Sequence, residues 1–352
     1  MWQEFTEQQH LQINDGKLSG QVSVWNKAAF QEGFVTLLPD TGLIRADGDD
    51  AASFLHNQLS NDVEHLSASE VRRAAYCTAK GRMLASFVYW KTDAAIVLQL
   101  SKSIQAPVQK RLGMFVLRAK VKLNDVSEQY VSFALGGAQA AKVLTNWFPE
   151  PPMVNAHVSN TYGTLLRCAD VLNVARYQWL CPADKAAAAW VALCAQLQPT
   201  NTADWNLSEI QAGIAHINQL TQEKFVPQMI NFELVGGVNF KKGCYPGQEI
   251  VARSQYLGKL KRRMTLAQIP SGGLSDGMDV FHVSDGDDTN AGENKQPCGV
   301  IVNAEQINDS STLALIEMTL ADQESGMIRC GSIDGPLAQL LPLPYEITDI
   351  TR

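Results

Sequence analysis

The residues of this chain best suited to chemistry stand in one run, Lys242-Gly243-Cys244-Tyr245-Pro246-Gly247-Gln248-Glu249. Gly236, Gly237, Gly243 and Gly247 give four flexible positions within twelve residues, and Tyr245-Pro246-Gly247-Gln248 has Pro and Gly where a type II turn wants them. A helix is expected to start near Gln248, with Ile250, Val251, Tyr256, Leu257 and Leu260 as its apolar positions. Cys244 then falls just before a helix N-terminus and beside Lys241 and Lys242. The helix dipole and the adjacent ammonium groups both favour thiolate over thiol, so this is the one cysteine whose surroundings predict a lowered pKa. By themselves the residue types leave a buried structural cysteine and a reactive one equally open.

The same stretch dominates the electrostatics. Between Lys241 and Arg263 there are seven basic residues (Lys241, Lys242, Arg253, Lys259, Lys261, Arg262, Arg263) and one acid, Glu249, in a chain of net charge −7. Such a local excess suits an anionic ligand, either a polyglutamylated or phosphorylated small molecule or RNA, and equally a solvated helix face. The overall negative charge argues against a general nucleic-acid binder.

Other chemistries lack their residues. The seven cysteines are scattered without a CxxC pair, which leaves zinc ribbons, thioredoxin-like motifs and iron–sulfur ligand runs unsupported, and no resident metal is expected. The six histidines form no HExxH pair, and no Gly-x-Ser-x-Gly elbow, Walker loop or GxGxxG is present. His216 is expected to be a packed or surface residue. Free cysteines, a polar N-terminus without a secretory pattern, and no apolar run near the roughly 20 residues of a membrane span together predict a cytoplasmic protein.

The elements that must position the run are α+β in texture. At 352 residues, two or three domains are expected. After an extension with a short helix (1–32), strands are expected over 34–38 and 43–46, with a helix over 51–59 capped by Asp50. The acidic Asp47-Gly48-Asp49-Asp50 lacks EF-hand spacing. Strands over 74–78, 84–90 and 94–100, a helix over 104–115, and a strand over 116–123 with Arg118, Lys120 and Lys122 on one side complete a first α+β unit, 33–127. A second, 128–263, has strands over 130–135, 164–168 and 174–180, helices over 138–147 and 185–198, and a helix from Asp204-Trp205 to about Leu220. Short strands from Met264 onward predict a small β-barrel, 264–352, with Ser284 to Pro297 as a loop inserted in it.

Lys-Gly-Cys-Tyr-x-Gly-Gln-Glu followed by a basic helix resembles the signature of the YgfZ-type proteins, folate-binding relatives of the glycine-cleavage T-protein. Phe54-Leu55-His56-Asn57-Gln58-Leu59, the Lys80-Gly81-Arg82-Met83 turn, the Gly213 helix, Leu234-Val235-Gly236-Gly237-Val238 and Pro342-Leu343-Pro344-Tyr345 extend the resemblance from about Gly33 to Glu346. It implies the T-protein fold, an α+β arrangement of two ferredoxin-like units and a C-terminal β-barrel around a central opening. It also implies a bound tetrahydrofolate or one-carbon derivative, and iron–sulfur enzymes as clients, among them one that thiomethylates tRNA.

The resemblance further implies Cys244 as a functional thiol tuned by Lys242. Gly243, Tyr245 and Gly247 would shape the loop, and Gln248 and Glu249 would fix the helix start. Trp205, Gln211 and Arg253 are the implied folate contacts, with the basic segment suited to a polyglutamate tail. A second family tryptophan aligns with Thr41 and is missing. T-proteins carry an Asp after the Gly-rich turn and a Glu two residues before the helix Gly; here Gly81 to Phe87 has no acid, and the second position is Gln211. Aminomethyl transfer is therefore not expected, and an accessory role in iron–sulfur assembly or repair is. The alternatives are a folate-dependent one-carbon transferase or demethylase, and a direct tRNA-binding module acting through 241–263.

Overall fold

The computed structural model describes residues 2–21, 23, 25, 27–256, 260–283, 296–325 and 327–347. Leu257 and Lys259, and all but the last two residues of the expected Ser284–Pro297 loop, lie outside the described residues. The chain divides into two compact units, one of residues 1–74 and 87–206, the other of 75–86 and 207–352. Both are discontinuous in sequence.

Two largely antiparallel sheets lie wholly or mainly in the first unit. One runs in the order His157–Asn160, Gly163–Val171, Val174–Pro182, Tyr130–Gly136, Phe34–Leu37, Gln198–Pro199. Alternating residues on one of its faces (Val35, Leu37, Phe133, Leu135, Tyr177, Trp179) meet the helices Ala140–Leu144 and Ala183–Cys194 in the main core. Fully burying each such side chain contributes about 1.5–3 kcal/mol. The other sheet is ordered Val71–Cys77, Met83–Lys91, Ala95–Ser101, Thr41–Asp47, Lys122–Asp125. A smaller apolar cluster, Leu43, Trp90 and Val97 with Leu166 and Leu180, joins faces of the two sheets.

Several expected elements are corrected. Phe34–Leu37 pairs with Tyr130–Gly136, so it does not share a sheet with Thr41–Asp47. The expected strand 116–123 is a knuckle of turns, and the strand begins only at Lys122. The chain leaves the helix Lys102–Gly113 and must reverse before it can pair Lys122 with Asp47, and Leu117 takes φ +46° in doing so. Asp50 stands at the N-cap of Ala51–His56 but makes no side-chain cap bond; its carboxylate accepts the Lys120 N–H at 2.8 Å.

In the second unit the strands are ordered Ile328–Cys330, Asp279–His282, Gly299–Asn308, Ser311–Thr319, Arg262–Ile269, Gln339–Leu341. Register shifts between Ile301 and Asn303 and between Gln306 and Asn308 bend the long strand pair. The Cys330 N–H donates to the Pro336 carbonyl and the Ala338 N–H to that of Ile328, so the sheet curls into a half-barrel over Ile269, Val280, Ile301, Ile316 and Met318. The expected helix to Leu220 ends instead at Gln211. Gly213 (φ +67°) closes it as a left-handed C-terminal glycine, with the Ile214 N–H returned to the Glu209 carbonyl. No described helix is long and apolar enough to cross a membrane.

Candidate functional site

The turn Tyr245-Pro246-Gly247-Gln248 forms as its residue types require. The Gln248 N–H donates to the Tyr245 carbonyl at 3.1 Å, Gly247 takes φ +83°, and the helix Gln248–Tyr256 follows directly. Glycine is obligatory here for a second reason. A Cβ on Gly247 would stand 2.4 Å from the Thr78 carbonyl oxygen and 2.7 Å from the Gly81 backbone. Gly81 (φ +72°) lies in the tight turn Thr78–Arg82, closed by the Gly81 N–H on the Thr78 carbonyl and the Thr78 N–H on the Arg82 carbonyl. Two glycine turns, distant in sequence, therefore interlock backbone to backbone inside the second unit.

The Thr78–Arg82 turn is anchored in turn. The Met83 N–H donates to the Phe225 carbonyl, the Glu223 N–H to that of Met83, and the Ile217 N–H to the Ser86 hydroxyl. Tyr245 is buried and carries the Lys242 ammonium 4.9 Å from its ring centroid. Burial pushes its hydroxyl well above the ordinary tyrosine range. On the helix, Val251 and Gln255 face inward and Gln228 Nε2 donates to the Val251 carbonyl at 2.7 Å. Ile250 and Tyr256, two of the helix's apolar positions, are exposed, and Tyr256 meets Phe240 edge-on at 5.8 Å. Glu249 and Arg253 are exposed, and Gln248 is half-buried, its amide 3.4 Å from the Lys242 carbonyl.

Cys244 is exposed, whereas burial pushes the thiols of Cys77, Cys181, Cys194 and Cys330 up to about 12 and that of Cys298 up to about 11. Thiols held that high are poor nucleophiles.

The basic segment is less free than its composition suggests. Arg263 is buried against Glu233 and also donates to the Gln228 carbonyl at 3.0 Å and to Asn231 Oδ1. Arg262 forks onto the buried Glu317 and reaches the Cys298 carbonyl at 2.8 Å. Burial pushes the Glu233 carboxyl up, and Arg263 opposes that shift without cancelling it. Of the described basic residues of this segment, Lys241, Arg253 and Lys261 remain exposed.

Gln211, half-buried at the end of Thr202–Gln211, belongs to this unit. Beside that helix end Glu209 is buried and 2.9 Å from His216 Nε2. The Glu209–His216 pair was not picked out by motif, since only the early helix stop at Gly213 brings position 216 back to it.

Trp205 belongs to the first unit, where it is buried with the Arg176 guanidinium 5.0 Å from its ring centroid. Arg176 and Gln178 share one side of the strand Val174–Pro182, and Thr36 stands on the same sheet face across Ala134. Gln99 Nε2 bonds Gln178 Oε1 at 3.0 Å, yet Gln99 Oε1, Gln178 Nε2 and Thr36 Oγ1 are buried without a partner in the protein. Buried polar atoms normally find partners, so this face is suited to a polar heteroaromatic ligand with amide-like donors and acceptors. Among the described residues no group of three His, Cys, Asp or Glu side chains is placed to hold a metal ion.

No protein-family model matches the chain. The structure is similar to the crystal structure of glycine cleavage system aminomethyltransferase T from Bartonella henselae, with a TM-score of 0.76 at 14% identity, covering 99% of this chain and 97% of that one. The fold is therefore the aminomethyltransferase T fold. The sequence is 30% identical over 322 residues to the tRNA-modifying protein YgfZ of Colwellia psychrerythraea, covering 91% of this chain and 95% of that protein. It is 27% identical over 313 residues to the protein of the same name from Klebsiella pneumoniae, covering 89% and 93%. The chain belongs to the YgfZ family.

Proposed function

We propose that this protein is a folate-binding accessory factor in tRNA modification, supporting assembly or repair of the iron–sulfur clusters of thiomethylating enzymes, with Cys244 as its functional thiol. Cys244 carries the reading: an exposed sulfur on a loop fixed by the Gly247–Gly81 contact, in a protein whose described thiols are otherwise buried or half-buried. The relatives' name, tRNA-modifying protein YgfZ, supports the link to tRNA. Folate is supported by the polar face around Arg176, Gln178 and Thr36 and by Trp205, where a reduced folate would supply a one-carbon carrier.

In this reading Trp205 and Arg176 hold the ligand's ring system, and Lys242 holds the thiol loop through Tyr245.

The test is calorimetry of tetrahydrofolate binding to the wild type and to Trp205→Ala. Binding weakened about tenfold or more in the variant, the scale expected for losing one aromatic contact of 1–3 kcal/mol, supports the folate part. No binding by the wild type removes it. For the thiol, Cys244→Ala should abolish support of cluster-dependent tRNA thiomethylation while leaving folate binding intact; full function in that variant removes the assignment. Glu209, held by His216, keeps one-carbon transfer in view as a second reading. Turnover of a methylamine donor with tetrahydrofolate, lost in Glu209→Gln, would favour it.

A further inference from the structure

The knuckle between the helix Lys102–Gly113 and the strand Lys122–Asp125 plays no part in the site above, and it breaks three surface rules at once. It exposes three large apolar side chains, Met114, Phe115 and Leu117, the last at 87% exposure. Leu117 is also in the left-handed region, at φ +46°, a conformation that costs a branched residue about 1 kcal/mol or more. And residues 110–122 carry five cations (Lys110, Arg111, Arg118, Lys120, Lys122) without an acid.

The neighbouring carboxylates do not quench them. Lys120 pairs with Asp49 at 3.6 Å. Asp50 accepts the Lys120 N–H, Asp47 holds Arg45 and Asn124, and Asp125 holds Ser127. Lys110, Arg118 and Lys122 are exposed with no ion pair among the described residues, and Arg111 Nε is buried without a hydrogen-bond partner. The helix dipole accounts for Lys110 and Arg111, which lie in the last helical turn, but not for Arg118 or Lys122.

Beside the knuckle lies an open depression of about 570 Å³ lined by Lys110, Gly113, Val116, Val121, Lys122 and Leu123, and by Asp125, whose carboxylate is held by Ser127. That volume falls within the range of small-ligand sites, roughly 300–1,000 Å³. Its openness suits a chain that passes through rather than an enclosed metabolite. A flat anionic bilayer has nothing to place in a concave site, whereas an RNA loop offers splayed bases, flanked by phosphates, that stack on rings and guanidinium planes.

We propose that the 110–122 knuckle binds an unpaired stretch of tRNA, with phosphates on Lys110 and Lys122, a base in the depression between them, and a neighbouring base on Phe115. The choice of tRNA rests on the family reading given above. Failure here is separable from failure of the folate reading, because the calorimetry contains no RNA.

The test is fluorescence anisotropy of the full chain with an unmodified, labelled tRNA transcript across a salt series. The wild type should bind, and Lys110→Gln/Lys122→Gln should lose about tenfold in affinity. The slope of log affinity against log salt should fall by about 1.4, since each single-strand phosphate contact contributes roughly 0.7. Phe115→Ala should lose about tenfold with the slope unchanged, and Lys241→Gln/Lys261→Gln should stay within about twofold of the wild type. All these side chains are at least partly exposed, and unchanged unfolding midpoints would certify the variants as folded. No tRNA binding by the wild type overturns the proposal, as does equal binding by the Lys110/Lys122 variant or loss confined to the Lys241/Lys261 variant. Binding to phosphatidylserine vesicles through Lys110 and Lys122, without tRNA binding, assigns the surface to lipid and overturns it too.

Discussion

Residues 241–263 hold seven basic side chains against one acid, and residues 110–122 hold five against none. In sequence the first stretch looks like the stronger polyanion site; in the structure the two expose similar numbers of cations without an ion pair among the described residues, Lys241, Arg253 and Lys261 against Lys110, Arg118 and Lys122. Arg262 and Arg263 are drawn into Glu317 and Glu233, Lys242 lies over Tyr245, and Lys259 is outside the described residues. Among the described residues, Lys120 alone in the knuckle has a carboxylate partner. Arg262, Arg263 and Lys242 of the first stretch build a loop and a strand, while most of the charge in the second faces water. Composition counts cations, and only pairing says which of them a ligand can use.

The widest test of that contrast is Arg263→Ala. It would leave the Glu233 carboxyl buried without its cationic partner, and breaking a buried pair from one side costs about 3–5 kcal/mol. Denaturant unfolding of the variant should show that loss, while Arg263→Met/Glu233→Leu should recover most of it, because the pair's desolvation cost disappears with the pair. If Arg263→Ala unfolds like the wild type, Arg263 is not held as described, and 241–263 regains its claim as the free cationic surface.

A second test uses one glycine from each region. Gly247→Ala places a methyl 2.4 Å from the Thr78 carbonyl at φ +83°, so it should destabilise by about 1–3 kcal/mol and loosen the loop carrying Cys244. Faster alkylation of the protein at a buried thiol would report that loosening. Gly113→Ala meets nothing within 4 Å at a helical position and should stabilise by about 0.4–1 kcal/mol. Opposite signs in the two unfolding curves sharpen the comparison; equal signs would mean that the Gly247–Gly81 interlock is not tight.

How much of this was legible in the sequence follows from how local each feature is. The turn at Pro246-Gly247 and the helix start at Gln248 depend on adjacent residues, and both are found where the residue types place them. The helix stop at Gly213 was equally local, but an apolar run beyond it masked the signal. The contact of Gly247 with Gly81, the burial of Arg263 on Glu233 and the pairing of Phe34 with Gly136 join distant segments, and no period or spacing encodes them. The knuckle misled for another reason. Val116 to Leu123 alternates apolar and basic residues as a half-buried strand does, yet the geometry of leaving one helix and entering an edge strand leaves no room for pairing there. What looked like the wet face of a strand is a cationic tip.

The smallest expected effect tests that tip. Lys110→Gln/Lys122→Gln removes two exposed ammonium groups that have no ion-pair partner among the described residues, so unfolding stability should stay within about 0.5 kcal/mol of the wild type. The comparison makes the small number informative. Two cations removed from 110–122 should cost the fold almost nothing, whereas Arg263 alone in 241–263 should cost several kcal/mol. A loss above about 1 kcal/mol in the lysine variant would mean that these charges stabilise the helix end and the edge strand. Exposed side chains whose removal the fold does not feel are the ones left to act on a partner.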